Sequence, residues 1–476
     1  MNKNTEIKGK IADWFEQHKD EMINDLEKLI AVRSVKSQEE CGAPYGVGSK
    51  EVLTLAASML TERGFDVKTF DDMIITAQMG PAPLKMGILS HLDVVAGGEG
   101  WDTDPFKMVI KDGKIYGRGA TDNKGPSVAA MYAMYCARDL CPELKSGFQI
   151  LLGSGEESGC EDISRYLESC KQGKNIIAPN VFTPDAEYPI VNAEKGRLAP
   201  YFNASFEKDL TLPRIISITG GNTINVVPNR AEAVVEGFTL DEVEPYCLEF
   251  SSKTDTAISA VNDGNRIKIS AIGKATHAAR PELGNNAQTA LIEMLTAMPF
   301  AESKGFGYLK ALTRLFPHGD FLGNAFGIKM SDDKIGELTL SFCVVKMTEY
   351  EISGNFDSRT PECADNIDLI GMTHAAFEKE GFTVTSCNVS KSHYTPDDSE
   401  FIQTLLSIYV DYTGNPPGCL SMGGQTYAHG IPGGVAFGSS LPGVDNSVHG
   451  ANEFISVDNL ITSAKMFAQA IIEMCG

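Results

Sequence analysis

The sequence predicts an α/β protein whose main domain is interrupted by an inserted α+β domain, and three observations predict it. Several segments repeat a short apolar run of strand character, a polar loop bearing an acid or a histidine, and then a helix-like stretch, which is the punctuation of α/β folds. Between residues 196 and 394 this gives way to alternating strands ("RAEAVVEGFTL", "RIKISAIG", "GELTLSFCVVKM") and amphipathic helical stretches such as "NNAQTALIEMLTAM". The first pattern resumes near "PDDSEFIQTLLSIYVDYTG", so the main domain is read as discontinuous, 1–195 and 395–476, around an insert of 196–394. The length, 476 residues, is more than one hydrophobic core usually serves.

Composition narrows the partners. Lys and Arg total 41 against 63 Asp and Glu, a formal charge of −22 that repels phosphate backbones and anionic lipid surfaces, so neither nucleic acid nor membrane is an expected partner. Such an excess is either a solvated surface or carboxylates gathered around cations. Eleven cysteines with no C-x-x-C pair read as reduced thiols, as in a cytosolic protein. The opening residues lack the apolar core of a signal peptide, and no later run is long enough to span a bilayer, so a cytoplasmic location is expected.

Taken in order, the chain starts with a helix whose apolar residues Ile11, Trp14, Phe15, Met22, Leu26, Leu29 and Ile30 fall along one face. The run "KMGILSHLD" ends in His91 and Asp93, two apart in an extended segment and so pointing the same way, which allows Asp93 to orient His91; an ordinary loop His beside an Asp is the competing reading. In "YGRGATDNKGPSVAAMYAM" glycines 117, 119 and 125 bend the backbone before a helix, and Asp122 is either a ligand or that helix's N-terminal cap. No phosphate-loop pattern fits there. The strand-like "GFQILLG" delivers Glu156 and Glu157 to a small glycine-rich loop, a solvated turn unless the two carboxylates have work. Asp185 follows "NVFTP" and His449 lies in "DNSVHGANE", both compatible with plain turns. In an open α/β sheet, ligands bind beyond the carboxyl ends of the strands, so these residues should converge. Two histidines, three separate acid sites and an adjacent Glu suit hard or borderline divalent metals, and one bridging carboxylate lets five ligands hold two ions.

These motifs in this order ("SHLDVV", W-x-x-x-P-F at 101–106, "YGRGATDNKGP", "GSGEESG", "TPDAEYP", "GKATHAARPELGNNA", "HGANE") resemble the M20 family of dinuclear metallopeptidases and deacylases, particularly its PepV-like bacterial dipeptidase branch. The resemblance covers essentially the whole chain and implies a dinuclear-metal catalytic domain with a lid domain as the insert. Residue by residue, it implies Asp122 as the bridging ligand, His91 and Asp185 on one metal, Glu157 and His449 on the other, Glu156 as general base and Asp93 as partner of His91. In the lid it implies that Asn225 positions the substrate, His277 polarises the scissile carbonyl and Arg359 holds the substrate carboxylate. Three departures stand out: Asn123 follows Asp122 where relatives often carry a second acid, Gly155 replaces a polar residue, and the segment around Arg359 matches loosely.

The implied cofactors are two divalent ions, zinc first, with manganese or cobalt also suited to the ligands. The implied reaction is hydrolysis of a dipeptide with a free amino terminus by metal-bridging water, whose proton Glu156 accepts. An N-acyl amino acid deacylase is the alternative within the family, and a noncatalytic metal or peptide binder the alternative outside it. A small peptide is the expected partner and a monomer the expected state, because the long insert resembles a duplicated lid.

Overall fold

Residues 3–40 and 42–476 are described by the computed structural model of the chain. They divide into two units, Met1–Ala193 with Thr395–Leu420 and Gln425–Gly476, and Glu194–Tyr394 with Ser421–Gly424. The short return at 421–424 has no counterpart in the hydrophobic pattern.

The first unit opens with α1 (Lys3–Ala31) and α2 (Val47–Glu62), then β1 (Val67–Phe70), β2 (Ile74–Met79) and β3 (Leu84–His91). A small hairpin, β4 (Val109–Lys111) and β5 (Lys114–Tyr116), precedes α3 (Lys124–Leu140), β6 (Gly147–Gly153), α4 (Glu161–Lys171) and β7 (Asn180–Thr183). The sheet runs β1-β2-β6-β3-β7, then Val435–Ala436, then Ile190–Glu194. Its central members β6, β3, β7 and Val435–Ala436 are mutually parallel. Parallel strands are covered on both faces, and this is why β6 is buried at every position and reads as an apolar run broken only by Gln149.

One face of the sheet packs on α1, α3 and the helix Val457–Cys475, in a core that holds Ile88, Phe148, Ile150, Leu152 and Phe182. The opposite face packs Leu89, Leu151 and Val181 with Tyr166 and Tyr427. All seven apolar residues spaced along α1 are buried, so the stripe legible in the sequence is the stripe that docks. Helix α3 is buried on every side from Lys124 to Ala137, and its run of small residues lets α1 and the C-terminal helix approach closely.

In the second unit, eight antiparallel strands follow the order Ala257–Asp263, Arg266–Ile272, Arg230–Glu236, Arg214–Gly220, Thr339–Met347, Glu351–Thr360, Gly196–Ser205 and Thr383–Ser390. Arg230–Glu236 buries alternate residues, as its sequence pattern predicts. Helices Leu240–Thr254, Ala287–Ala297, Lys304–Leu315 and Leu369–Lys379 supply the rest of its core.

The ten described cysteines are free, and Cys41 lies outside the described residues. No helix among the described residues is long and apolar enough to cross a membrane.

Candidate metal and catalytic centre

Parallel strands deliver their carboxyl ends to one edge of the first unit's sheet. His91 is the last residue of β3, Glu156–Ser158 forms a single 3-10 turn just beyond β6, and Asp185 stands two residues after β7. Asp122 arrives on the loop before α3, and His449 on a turn preceding the C-terminal helix.

Asp122 lies between two sets of donors. Its Oδ1 is 3.1 Å from His91 Nε2, and its Oδ2 is 3.0 Å from His449 Nε2. Asp185 Oδ2 approaches His91 Nε2 at 3.4 Å, and Glu157 Oε1 approaches His449 Nε2 at 3.1 Å. His91, Asp122 and Asp185, and separately Asp122, Glu157 and His449, each offer atoms that lie within 4.8 Å of one another. These groups fit two divalent ions. His91 Nε2 is buried and faces the carboxylate oxygens of Asp122 and Asp185, and such mixed nitrogen and oxygen donors match zinc or manganese.

The electrostatics agree with that fit. Burial pushes the Glu156 carboxyl well up from its ordinary range, with the charges of Asp185, Glu157 and Asp122 adding to the effect against the pull of His91. Burial likewise raises Glu157, and it raises Asp185 to about 6. Burial also works against the Asp122 carboxylate, but its bonds to His449 and His91 hold it well below the usual range. His449 rises to about 11 through its bonds to Asp122 and Glu157. The carboxylates thus draw positive charge inward, and without ions only the imidazoles can supply it.

The turn that carries the two glutamates is held by its backbone. Ser154 N–H donates to Asp162 Oδ2 (3.1 Å), Gly155 N–H to the Tyr427 hydroxyl (3.2 Å), Glu156 N–H to Asp93 Oδ1 (3.3 Å) and Glu157 N–H to Asp93 Oδ2 (3.1 Å). Tyr427 in turn donates to Asp162. Asp93 therefore has two tasks. Its carbonyl lies 3.0 Å from His91 Nδ1, nearer than its carboxylate at 3.4 Å, while the carboxylate secures the glutamate turn. An Nδ1–H that donates a hydrogen bond to that carbonyl leaves the Nε2 lone pair for a ligand bond. Gly155 is required because a Cβ there would stand 2.5 Å from the Tyr45 ring.

Asp122 does not cap α3. Asn123 occupies the position before the helix, its side chain makes no capping bond, and the Asp122–Asn123 peptide is cis. Cap chemistry and ligand chemistry use the same residue type, so the local sequence left both open.

Asn225, His277 and Arg359 belong to the second unit. Asn225 and His277 are neighbours there, with Ala278 N–H donating to Asn225 O (2.8 Å) and Val226 bridging His277. Arg359 is buried, its Nε 2.6 Å from Asp357 Oδ1 and its Nη1 2.7 Å from the Gly423 carbonyl.

Four buried residues beside the first unit's site were not singled out by sequence reasoning: Arg118, Asp162, Tyr427 and Glu453. Arg118 and Glu453 lie inside the quoted motifs "YGRGATDNKGP" and "HGANE", which was their one signal. Asp162 and Tyr427 carried none.

Comparison with known proteins follows the same lines. Residues 87–473 match the family described as Peptidase family M20/M25/M40. The Beta-Ala-Xaa dipeptidase of Lactobacillus delbrueckii subsp. lactis is 34% identical over 470 residues, covering 96% of this chain and 97% of that protein. Among solved structures, human carnosine dipeptidase 1 superposes with a TM-score of 0.58 at 18% identity over 98% of each chain. The di-peptidase Dug1p of Saccharomyces cerevisiae superposes with a TM-score of 0.59 at 14% identity over 99% of each chain. At those identities the two structures speak to the fold.

Proposed function

The chain belongs to peptidase family M20/M25/M40, and from that premise we propose that it is a metal-dependent dipeptidase that hydrolyses dipeptides with a free amino terminus. The observation that carries the reading is Asp122, whose two oxygens face two different histidine–carboxylate sets. The relative with 34% identity bears a dipeptidase name, which supports the substrate class.

In this reading His91 and Asp185 would hold one ion, Glu157 and His449 the other, and Asp122 would serve both. Two zinc ions bound there would act as Lewis acids on the scissile carbonyl and lower the pKa of water toward neutrality. Glu156 takes the proton from the attacking water and returns it to the departing amine. Its burial among carboxylates lifts its carboxyl well above the ordinary range, the direction a proton carrier needs. Asp93 keeps His91 and the glutamate turn in register. The family resemblance further implies that His277 would polarise the carbonyl oxygen, Arg359 would pair with the substrate carboxylate and Asn225 would position it. We further propose that the protein acts as a cytoplasmic monomer.

A panel tests the substrate class: α- and β-linked dipeptides, tripeptides, dipeptide amides and N-acetyl amino acids, each assayed with zinc or manganese. Free dipeptides should be cleaved best. Preferential cleavage of N-acetyl amino acids would move the assignment to a deacylase, and peptide binding without turnover would make it a binder, a role for which Glu156 has no use.

A further inference from the structure

Behind the proposed ligands lies a buried ion pair that nothing above uses. Glu453 is fully buried, and its carboxylate accepts the backbone N–H groups of Gly119 (3.1 Å), Thr121 (2.9 Å) and Asp122 (3.0 Å), so the chain entering Asp122 is wrapped around it. Its Oε2 also takes Arg118 Nη1 at 2.6 Å. Arg118, itself buried, reaches the other way: Nη2 donates to Gly450 O at 2.9 Å, the carbonyl next after His449, and to Ala96 O and Gly97 O at 3.3 Å, just beyond the segment of His91 and Asp93. Each loop therefore lends a side chain that grips the other, and three ligand-bearing segments meet at one charge pair.

Two arguments separate this arrangement from ordinary packing. A buried ion pair gives the fold little that apolar residues of similar volume would not, because desolvation offsets the attraction; what it can supply is fixed geometry for the polar groups around it. The turn it holds also needs holding. Ser447, His449 and Asn452 are non-glycine residues with φ of 55°, 60° and 58°, a conformation that persists only where the surroundings impose it.

We infer that Arg118 and Glu453 are positioning residues that tie the His449 turn to the Asp122 loop, and so set the binding of the ion shared by Asp122, Glu157 and His449. The inference rests on the two-ion reading. The ion at His91 and Asp185 depends less on the pair, since β3 pairs His91 with Gly153 of β6, and Ala186, next to Asp185, pairs with Ser439.

The test measures metal, not turnover. Arg118→Met/Glu453→Gln removes both charges together, so the chelated variant should melt within a few degrees of the chelated parent. Equilibrium dialysis against buffered zinc or manganese, with metal counted per chain, should show one ion bound nearly as in the parent and the other weakened roughly 10–100-fold, the range for lost partners of metal ligands. Two ions bound with parental affinity in a stable double variant would reduce the pair to packing. Equal weakening of both ions would confine its effect to Asp122 and overturn the tie to His449. Should the double variant not fold, Arg118→Lys carries the same comparison, because it keeps a charge for Glu453 but loses the fork to Gly450, Ala96 and Gly97. A parent that takes up no metal would remove the two-ion reading and this inference with it.

Discussion

Glu156 and Glu157 share one turn and, in our reading, divide two tasks between them. Glu157→Ala removes the oxygen that lies 3.1 Å from His449 Nε2, so metal content per chain should fall and activity with it. Glu156→Ala should keep both ions while turnover drops by about 10²–10⁴, the size of a lost acid–base group. Metal analysis beside rates decides the matter: metal loss in Glu156→Ala with normal content in Glu157→Ala would exchange the roles. Arg359 makes a second test. Its neighbour Asp357 is also held by Arg197 Nε at 2.7 Å, so Arg359→Ala does not strand a buried charge. The variant should keep its metal but show a strongly raised KM for dipeptides, because a charge-assisted contact to the substrate carboxylate is lost. An unchanged KM would remove Arg359 from substrate recognition.

The turn after β6 is an element with almost no regular structure, yet four consecutive N–H groups in it are bonded by side chains from elsewhere in the unit. Tyr427→Phe keeps the ring packed near His91 but leaves Gly155 N–H and Asp162 without the hydroxyl. We expect kcat to fall about tenfold or more with metal content unchanged, since the turn then holds Glu156 less firmly; a parental kcat would show that the bonds from Asp93 and Asp162 suffice to secure it. Asp162 offers a test by pH. Burial raises its carboxyl to about 6, so the folded protein binds this proton more tightly than the unfolded chain does. Its contribution to stability is full below the unfolded pKa near 3.8 and is lost as pH rises through about 6. The stability difference between the parent and Asp162→Asn, both chelated, should therefore shrink by on the order of 2–3 kcal/mol between pH 4 and pH 7. Urea melts at the two pH values check this, and a difference that grows with pH would contradict the cause assigned.

For the molecule as a whole, the centre gathers Asp122, Glu156, Glu157 and Asp185 around two histidines, a set that repels itself without cations. Chelation should abolish dipeptide hydrolysis and lower the melting temperature, and zinc or manganese should restore both. Ions that bind only the folded state stabilise it by roughly 2.7 kcal/mol at a hundredfold excess over Kd, enough to be read in a thermal melt. Full turnover in protein shown to be free of metal would end the mechanism proposed here.

Much of this was legible without the fold. The stripe on α1, the largely apolar run of β6 and the alternation of Arg230–Glu236 are local patterns, because burial on one face or on two imprints a period on neighbouring residues. The types and order of the acids and histidines at strand ends were equally visible, since a parallel sheet must present them at one edge. Their pairing was not. That Asp122 turns one oxygen to each histidine, that Asn123 rather than Asp122 precedes α3, that the Asp93 carboxylate serves a turn 63 and 64 residues away, and that Arg118 meets Glu453 across 335 residues all depend on which groups come within about 3 Å. A sequence states how many donors and acceptors a chain carries; only the folded backbone decides which ones meet, because a hydrogen bond is fixed by distance and angle and leaves no period in the chain.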